Sequence, residues 1–276
     1  MIIDGRSIAS DILRTVRTHA AVVGRELVVR AMVMNPTGAT ESYLRVKAAR
    51  ATDAGMRMEI ARLPDNATTE EVLTAIAAPG ADSVIVQLPL PEAVNSTLIL
   101  DEIPLQKDAD VLSAAAYERF VYRKPGALLP PVVGAIKEVF LRTGVKAEGK
   151  KSVIIGSGKL VGQPAAVWLE SEGAEVLVLT QDSFTHEAIR NADIIISGAG
   201  SPGLLMPAML KSGVVLVDAG TSELNGAIVG DADPSCVEVA SVFTPVPGGL
   251  GPIAVACLFK NASLLVVRSH ETASTA

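Results

Sequence analysis

A run of small residues follows a predicted apolar strand near the middle of the chain. Residues 152–155 read Ser-Val-Ile-Ile, and residues 156–162 read Gly-Ser-Gly-Lys-Leu-Val-Gly. Glycines let a backbone approach a pyrophosphate closely, and the N-terminus of a following helix offers unpaired amides and a partial positive charge. A tight turn between a strand and a helix is the other interpretation. The strands and helices predicted on both sides of the loop favour a dinucleotide-binding fold.

Those predicted elements alternate along the chain, which is typical of a parallel sheet covered by helices. Around the glycine loop, apolar segments predict strands at residues 175–179, 193–197 and 214–217. The first third of the chain alternates in the same way. We therefore predict an α/β protein with an N-terminal βα domain and a Rossmann-type, doubly wound, parallel-sheet nucleotide domain. The predicted bounds are 1–125 plus 253–276 for the first domain and 126–252 for the second.

Composition narrows the class of protein. Apolar residues make up 49% of the 276 residues, so two cores can be buried, and the formal net charge of −6 argues against a general nucleic-acid binder. The amphipathic start contains acids, and apolar runs stay shorter than a membrane span, so we expect a cytoplasmic protein that does not enter a membrane. Cys236 and Cys257 are the two cysteines and form no CxxC pair, so the sequence suggests neither a zinc site nor a disulfide framework; no metal-binding residues are predicted, and a metal requirement stays open.

The first domain carries four polar features that are ordinary when each is taken alone. Tyr43 and Lys47 lie four residues apart on a predicted helix and so share one face. Gln87 ends an apolar strand, at the edge where α/β proteins bind ligands. Residues 107–110 read Lys-Asp-Ala-Asp. A core tyrosine, a solvated lysine, a loop amide and a surface charge run are the alternatives.

Longer motifs connect these features. Residues 2–5 (Ile-Ile-Asp-Gly), Tyr43 with Lys47, residues 86–91 (Val-Gln-Leu-Pro-Leu-Pro), residues 107–110, residues 156–164 and residues 244–252 (Thr-Pro-Val-Pro-Gly-Gly-Leu-Gly-Pro) follow one another in this order. Together they resemble the bifunctional methylenetetrahydrofolate dehydrogenase/methenyltetrahydrofolate cyclohydrolase family. The resemblance runs from about residue 2 to residue 266.

The resemblance implies a folate bound in a cleft between the two domains, facing the nicotinamide. It implies that Tyr43 stacks near the pterin, that Lys47 is the key catalytic group, that Gln87 supports Lys47, and that Asp110 holds the pterin edge. The first domain is then the folate-binding catalytic domain, and a homodimer is implied. The substrate-binding residues would also include Pro247, Gly248 and Gly249.

The chemistry agrees with these roles. A carboxylate such as Asp110 can accept two hydrogen bonds from the guanidine-like pterin edge. Hydride loss from the methylene carbon needs mainly positioning, because the folate nitrogens push electrons into the developing cation. Hydrolysis of the methenyl cation also requires a proton to be moved, and a lysine whose pKa is lowered by burial can do this near neutral pH.

The cofactor is expected to be NADP or NAD. Asp182 lies just after the next predicted strand, where a carboxylate binds a ribose and repels a 2′-phosphate, so we lean away from a strong NADP preference. A turn or helix-capping role for Asp182 fits as well. The candidate cofactor-binding residues are Gly156, Ser157, Gly158, Lys159, Val161, Gly162, Thr180, Gln181, Asp182, Gly198, Ala199, Gly220 and Thr221.

Two segments depart from the family pattern. The family places a glycine after the second aspartate of its KDxD segment, where this chain has Val111, and its PCTP segment appears here as Leu-Pro-Pro-Val at residues 129–132. The missing glycine is expected to reshape the loop that aims Asp110. These departures leave two alternatives open, an enzyme with a single activity and a catalytically weak folate- or nucleotide-binding paralogue. An unrelated Rossmann dehydrogenase is disfavoured by the VQLPLP and TPVPGGLGP strings.

Overall fold

A computed structural model describes residues 1–180, 183–224 and 226–274. The chain divides into two compact units. The first unit comprises Ser10–Pro131 and Val255–Ala276, and the second comprises Met1–Ala9 and Val132–Ala254. Each unit is therefore built from two separate stretches of sequence. The functional domain assignment made from the sequence remains a prediction, because compactness does not show what either unit binds.

In its described residues the first unit contains a three-stranded parallel sheet in the order β2-β1-β3. The central strand β1 is buried along nearly its whole length, as its apolar sequence predicts. The unit's elements, with the two helices that extend across its boundary, are α1 (Gly5–Val22), β1 (Leu27–Val33), α2 (Gly38–Asp53), β2 (Met56–Arg62), α3 (Thr69–Ala77), β3 (Ser83–Val86), α4 (Ser96–Asp101), α5 (Ala114–Val121) and α9 (Leu250–Ser274).

Side-chain caps fix where the helices of the first unit begin. Thr37 accepts a hydrogen bond from the Thr40 amide at the start of α2. At the start of α3, Thr68 and Glu71 form the capping box that their spacing predicts, with each side chain bonded to the other residue's amide. Such caps contribute about 1 kcal/mol each. They set the orientation of the helices that follow the strands.

In its described residues the second unit contains a five-stranded parallel sheet in the order β10-β7-β6-β4-β5 and a small antiparallel hairpin, β8-β9. The sheet is doubly wound, as the alternation of elements predicts. Its elements are α6 (Pro131–Thr143), β4 (Lys151–Ile155), α7 (Gly162–Ser171), β5 (Glu175–Leu179), α8 (His186–Asn191), β6 (Ile194–Ser197), β7 (Val215–Asp218), β8 (Ser222–Leu224), β9 (Ala227–Val229) and β10 (Val242–Thr244).

One boundary differs from the sequence prediction in a way that affects the site. The sequence predicts a loop over residues 244–252 and a last helix from about Ile253, but α9 begins at Leu250, so the loop is shorter. The helix follows directly on Gly249, whose amide donates to the Pro245 carbonyl at 2.7 Å. That bond closes the turn before the helix.

Helix α9 is long and apolar enough to span a membrane by length and composition alone, over residues 250–268. However, 67% of that window is buried within the protein, as in the core helix of a globular fold. This feature is therefore weak evidence for a membrane segment.

Candidate active site

Helix α2 carries a lysine and a tyrosine one turn apart. The Lys47 side chain is buried, with 7% of the residue exposed, and its ammonium lies 5.1 Å from the centre of the Tyr43 ring. Tyr43 itself is 36% exposed, so its ring remains accessible to a ligand. The sequence predicted that these two residues share a face, and the ammonium-to-ring contact shows that they do.

An amide fixes the position of the buried ammonium. The Lys47 Nζ donates a hydrogen bond to Gln87 Oε1 at 3.1 Å. Gln87 directly follows β3, and its Nε2 donates to the Leu88 carbonyl at 2.9 Å, which turns the Oε1 atom toward the lysine. A neutral acceptor holds the amine without neutralising it, unlike a carboxylate.

Three titratable groups influence one another here. Burial lowers the pKa of Lys47, and the charge of Asp110 partly opposes that shift. Burial raises the pKa of Asp110 to about 6, with Lys47 opposing and Asp108 adding to the rise. Loss of hydration, followed by the charge of Asp110, raises the pKa of Tyr43. The structure therefore brings Tyr43, Lys47, Gln87 and Asp110 into one polar cluster with perturbed proton affinities.

The loop that carries Asp110 is held by its neighbour Asp108. Asp108 is 1% exposed, and its carboxylate accepts hydrogen bonds from the Leu112 amide at 3.1 Å, the Ser113 amide at 2.8 Å and the Ser113 hydroxyl at 2.7 Å. No role for Asp108 is predicted from the sequence. Asp108 belongs to the charged run at residues 107–110. The amides that bind its carboxylate lie four and five residues further along the chain, so the run alone does not show that this acid is buried.

Two further side chains fix the same loop from outside it. The Ser83 hydroxyl donates to the Lys107 carbonyl at 2.8 Å, and Asn261 Nδ2 donates to the carbonyls of Ala109 at 2.9 Å and Leu129 at 2.8 Å. Asn261 lies on α9, far along the chain. It connects the Asp110 loop with residues 129–132, the segment that differs from the family pattern. The position of Asp110 is thus determined from several directions.

Val111 occupies the position where the family pattern has glycine. Its φ is 58°, in the left-handed region that glycine adopts freely and β-branched residues avoid. The backbone at this position keeps a conformation suited to glycine even though the side chain disfavours it. Val111 is also 2% exposed, so packing and the bonds to Asp108 together hold the strained residue in place.

The glycine loop is packed so tightly that side chains are excluded. A Cβ added to Gly162 would lie 1.9 Å from the Gly156 carbonyl oxygen, and one added to Gly156, at φ 99°, would lie 2.7 Å from the Gly198 carbonyl oxygen. A Cβ on Gly198 would lie 2.6 Å from the Val161 side chain. These four candidate cofactor-binding residues therefore form one close-packed turn.

The exposed part of the same loop fits a pyrophosphate. Ser157, Gly158 and Lys159 are exposed, and a Cβ added to Gly158 would meet open space, so a ligand can reach the backbone there. Helix α7 begins at Gly162, and the residue before it, Val161, provides no side-chain cap. In the first turn of the helix the Gln163 amide donates to the Gly158 carbonyl at 3.1 Å and Pro164 has no amide hydrogen, so the exposed backbone of residues 157–159 is the part of the loop that could meet an anion.

The remaining candidate cofactor residues lie after later strands. Thr180 follows β5 and pairs through its amide and hydroxyl with the Ser183 hydroxyl. Ala199 and Thr221 are exposed, whereas Gly220 is buried against a carboxylate. Gln181 and Asp182 lie outside the described residues.

The segment Pro247-Gly248-Gly249 belongs to a turn that packs on the start of the chain. Gly248 has φ 108°, and its carbonyl accepts a hydrogen bond from the Gly5 amide at 2.9 Å. A Cβ added to Gly5 would lie 1.7 Å from the Gly249 carbonyl oxygen. Pro247 is exposed. Gly5 is therefore needed for the close approach of the two backbone segments, whereas Gly248 provides the positive φ and Gly249 the tight turn, in which a Cβ would lie 2.6 Å from the Pro245 carbonyl oxygen.

Sequence reasoning missed two buried acids in the second unit. Asp218 ends β7, and Asp231 follows the β8-β9 hairpin. They are 1% and 0% exposed. A carboxylate directly after an apolar strand is the same kind of signal that singled out Gln87, and it would have identified Asp218. In the described part of the chain, no group of three or more His, Cys, Asp or Glu side chains is arranged to hold a metal ion.

The fold and these two sets of residues define a two-unit α/β dehydrogenase. The family model for the tetrahydrofolate dehydrogenase/cyclohydrolase catalytic domain matches residues 3–110, and the model for the NAD(P)-binding domain of the same family matches residues 130–270. The chain belongs to the tetrahydrofolate dehydrogenase/cyclohydrolase family.

Individual relatives agree over nearly the whole length. The bifunctional protein FolD of Staphylococcus aureus (strain Newman) is 33% identical over 273 residues, which cover 95% of each chain. The crystal structure of the bifunctional enzyme FolD from Campylobacter jejuni matches with a TM-score of 0.91 at 30% identity, covering 97% of this chain and 99% of that one. The Trypanosoma brucei FolD, solved with NADP cofactor and inhibitor, matches with a TM-score of 0.90 at 30% identity and covers 98% of both chains.

Proposed function

We propose that this protein is a bifunctional enzyme of one-carbon metabolism. It oxidises 5,10-methylenetetrahydrofolate to 5,10-methenyltetrahydrofolate with a pyridine nucleotide and hydrolyses the methenyl form to 10-formyltetrahydrofolate. The observation that carries the proposal is the buried Lys47 ammonium, held by Gln87 beside Tyr43, in a chain that belongs to this family. Full-length relatives named bifunctional FolD support both activities.

Tyr43 and Asp110 are proposed to hold the substrate. The partly exposed Tyr43 ring offers a flat face for the pterin, and Asp110 offers a carboxylate for its guanidine-like edge. Asp110 must be ionised to accept those hydrogen bonds, so its pKa of about 6 makes it competent at neutral pH. Pro247, Gly248 and Gly249 are proposed to contact the folate with backbone and with the Pro247 ring.

Oxidation depends mainly on where the substrate is held. When bound, the dinucleotide supplies the nicotinamide ring that accepts a hydride. Tyr43 and Asp110 fix the folate, and the Lys47 amine faces the reacting end. Well-oriented reactants held about 3–3.5 Å apart gain roughly 7–11 kcal/mol relative to the same reaction in solution. The chain's residues therefore contribute chiefly by orientation.

Hydrolysis depends on the buried amine. Water attacks the methenyl carbon, the ring C–N bond breaks, and both water protons leave the oxygen as the formyl C=O forms, one of them going to the departing nitrogen and the other to solvent. Burial lowers the pKa of Lys47, so the neutral amine is accessible and can take up the first of these protons and pass it to the departing nitrogen. The Gln87 amide keeps the Nζ atom in place during both transfers.

The glycine loop is proposed to bind the dinucleotide through its backbone. The exposed residues Ser157 to Lys159, directly before the N-terminal end of α7, suit the pyrophosphate. Gly198, Ala199, Gly220 and Thr221 are proposed to line the same site, together with Thr180 and Gln181. The cofactor is NADP or NAD.

We propose that Asp182 disfavours NADP by repelling the 2′-phosphate. Replacing Asp182 with serine is then expected to raise the ratio of kcat/KM with NADP to kcat/KM with NAD. An unchanged ratio between the two cofactors would remove Asp182 from this role.

We also propose that two copies associate through β5. This strand forms one edge of the parallel sheet, and Leu177 and Val178 on it are 48% and 38% exposed. At the other edge, β10 is paired by residues 1–3. An apolar sheet edge invites pairing with a second chain. A homodimer mass in light scattering is expected, and a monomer at micromolar concentration would contradict the proposal.

The cellular setting follows from the substrates and the charge. Both folate and dinucleotide are small polar molecules, and the chain's net charge of −6 does not suit nucleic acid. We therefore place the enzyme in the cytoplasm, with a folate substrate as its partner and neither nucleic acid nor membrane as a ligand.

One assay separates this proposal from the alternatives. Purified protein is given methylenetetrahydrofolate with NAD or NADP, and the absorbance of the methenyl product is followed as it forms and decays. Formation and enzyme-dependent decay are expected. Formation without enzyme-dependent decay would indicate a single-activity dehydrogenase. Measurable ligand binding without turnover in the presence of either cofactor would instead favour a binding paralogue. The departures from the family pattern at Val111 and residues 129–132 are the reason for considering that alternative.

A further inference from the structure

Two buried carboxylates in the described part of the second unit have no role in the proposed mechanism. Asp218 ends β7, Asp231 follows the β8-β9 hairpin, and both are buried. We propose that Asp231 is a positioning residue for the dinucleotide site, and that Asp218 holds Asp231 in place. The inference rests on the proposed function for its cofactor, and extends it to residues that do not touch the ligand.

Asp231 binds the loop that follows β6. Its Oδ2 atom accepts hydrogen bonds from the Ser197 hydroxyl at 2.6 Å and the Ala199 amide at 2.8 Å, and its Oδ1 atom accepts one from the Ser201 amide at 2.7 Å. The donors span five consecutive residues, including the candidate cofactor residues Gly198 and Ala199. One carboxylate thus sets the path of the whole loop.

That loop in turn forms one wall of the glycine turn. The Gly198 amide donates to the Ile155 carbonyl at 2.8 Å, directly before the glycine loop begins. A Cβ on Gly156 would lie 2.7 Å from the Gly198 carbonyl oxygen, so the two backbones touch. A shift of the Gly198 segment would therefore move the surface against which the phosphate-binding turn is packed.

Asp218 holds the segment that carries Asp231, in the same way that Asp231 holds the loop after β6. Its carboxylate accepts hydrogen bonds from the amides of Gly220 at 2.8 Å, Asp231 at 3.2 Å and Ala232 at 2.8 Å. It therefore fixes both the backbone of Asp231 and the candidate cofactor residue Gly220. Asp231 thus connects the end of β6, and Asp218 the end of β7, with the segment that follows the β8-β9 hairpin.

Two glycines provide the space that the carboxylates fill. A Cβ added to Gly220 would lie 2.3 Å from the Asp231 carboxyl carbon, and one added to Gly230 would lie 2.1 Å from Asp218 Oδ2. Neither acid can move without losing amide bonds, and neither glycine tolerates a side chain. The arrangement is rigid in the way that a preorganised ligand site requires.

The charges of Asp218 and Asp231 indicate that these two carboxylates serve ligand binding more than the stability of the fold. The hydrogen bonds to the two carboxylates come from backbone amides and one serine hydroxyl, within the residues that the structure describes. Burial raises the pKa of Asp218 to about 6, and the charge of Asp231 contributes to that rise. Two buried acids that repel each other weaken a fold, and such costs concentrate at functional sites.

The test measures dinucleotide binding directly and compares four proteins. Calorimetric titration with NADP, and separately with NAD, is carried out on the unaltered protein, Asp231→Asn, Ser197→Ala and Asp193→Asn. Asp193 is the matched control, because it is an acid that precedes β6 and binds Lys151 and Lys211 rather than the loop after the strand. Methenyl hydrolysis, which needs no dinucleotide, and thermal unfolding report whether each variant is folded.

We expect Asp231→Asn to weaken dinucleotide binding about tenfold or more, since hydrogen bonds to a charged acceptor are lost. Ser197→Ala should weaken it by roughly threefold, since one bond is lost. Asp193→Asn should bind normally. In kinetics, the KM for the dinucleotide should rise more than kcat falls, while hydrolysis continues at its usual rate.

The outcomes are decisive in both directions. Unchanged dissociation constants in both Asp231→Asn and Ser197→Ala would overturn the inference, as would a loss of hydrolysis in step with the loss of binding in Ser197→Ala. If Asp231→Asn fails to fold, Ser197→Ala decides alone. If the unaltered protein shows no oxidation of methylenetetrahydrofolate, the proposed function fails, yet the titrations still test the inference.

Discussion

The two candidate sites of this protein differ in which atoms form them: one consists mainly of side chains and the other mainly of backbone. In the first unit the chemistry lies in side chains: an amide, together with an amine, a phenol and a carboxylate whose pKa values are shifted by burial and by one another's charges. In the second unit the candidate site is largely backbone, formed by glycines and by the exposed loop at residues 157–159. Its acidic side chains, Asp218 and Asp231, are buried behind the surface that would meet a ligand.

This difference predicts how each site should fail. Removing one functional group should disable the first site and leave its shape intact. Adding a single methyl group should disable the second site by displacing a backbone. Because hydrolysis needs no dinucleotide, the two activities of the proposed enzyme report on the two sites separately, and the following predictions use that separation.

The largest effect is expected from Lys47→Met, which keeps the length of the side chain and removes the amine. Hydrolysis of the methenyl substrate should fall by about 10²- to 10⁴-fold, the usual contribution of general acid–base catalysis, while dinucleotide affinity stays unchanged. Methenyl decay and calorimetric titration measure the two. Lys137→Met, on an exposed position of α6, is the control. Unchanged decay in Lys47→Met would refute the role assigned to this lysine.

A large effect of the opposite kind is expected from Gly162→Ala. The added Cβ would lie 1.9 Å from the Gly156 carbonyl oxygen, so the glycine turn must open. Overpacking of this kind costs about 1–3 kcal/mol, which corresponds to roughly 5- to 150-fold in dinucleotide affinity if the turn forms fully only when the ligand binds. Gly38→Ala is the control, since a Cβ there meets open space. Normal dinucleotide binding by Gly162→Ala, or a parallel loss of hydrolysis, would contradict the separation of the two sites.

A moderate effect is expected from pH, and it should concern only the first site. Asp110 has a pKa of about 6, raised by burial, so it is ionised above that pH and neutral below it. The KM for the folate should therefore rise as pH falls through 6, approaching about tenfold per unit, because the neutral acid no longer accepts the pterin's hydrogen bonds. Steady-state kinetics from pH 7.5 to 5 would measure it. Asp110→Asn should show a high KM without this slope, and a slope that persists in the variant would assign it to another group.

The smallest effect concerns stability at Val111. Because its φ is 58°, Val111→Gly should be more stable than Val111→Ala by about 1 kcal/mol, although glycine leaves the larger cavity. At Val133, buried in α6, the order should reverse, since glycine costs about 1 kcal/mol more than alanine in a helix. Denaturant midpoints for the four variants would show both orders. Val111→Ala being the more stable of its pair would mean that the backbone does not hold the left-handed conformation.

The difference between the sites also explains what sequence could predict. Tyr43, Lys47 and Gln87 were predictable because one helical turn and one strand end determine where they lie. The glycine loop was predictable because only local sequence is needed to exclude a Cβ. Asp108 and Asp231 were not assigned roles, because an acid becomes a structural anchor only through donors elsewhere in the chain, which for Asp231 lie 30 to 34 residues away.

Strand β2 was missed for a related reason. Its sequence, Met-Arg-Met-Glu-Ile-Ala-Arg, has charged residues where a buried strand would have apolar ones. Pairing with β1 and ion pairs from Arg57 to Glu26 and Glu59 stabilise it at the edge of the sheet. An edge strand with one partner needs less burial than a central one, so periodicity alone underestimates it.

The bond between Gly5 and the turn at Gly248 has a consequence for how the protein is made. The Gly5 amide can meet its partner only after residue 248 has been synthesised, and Met1 likewise waits for Ser241. At about 5–20 residues per second, the nascent N-terminus remains without these partners for roughly 12–50 seconds. The first unit waits as well, because Asn261 is needed to tie down the Asp110 loop. The second unit can therefore complete its fold only after residue 248 has left the ribosome, and the first unit only after residue 261 has, so a ribosome that stalls before these points leaves both sites incomplete.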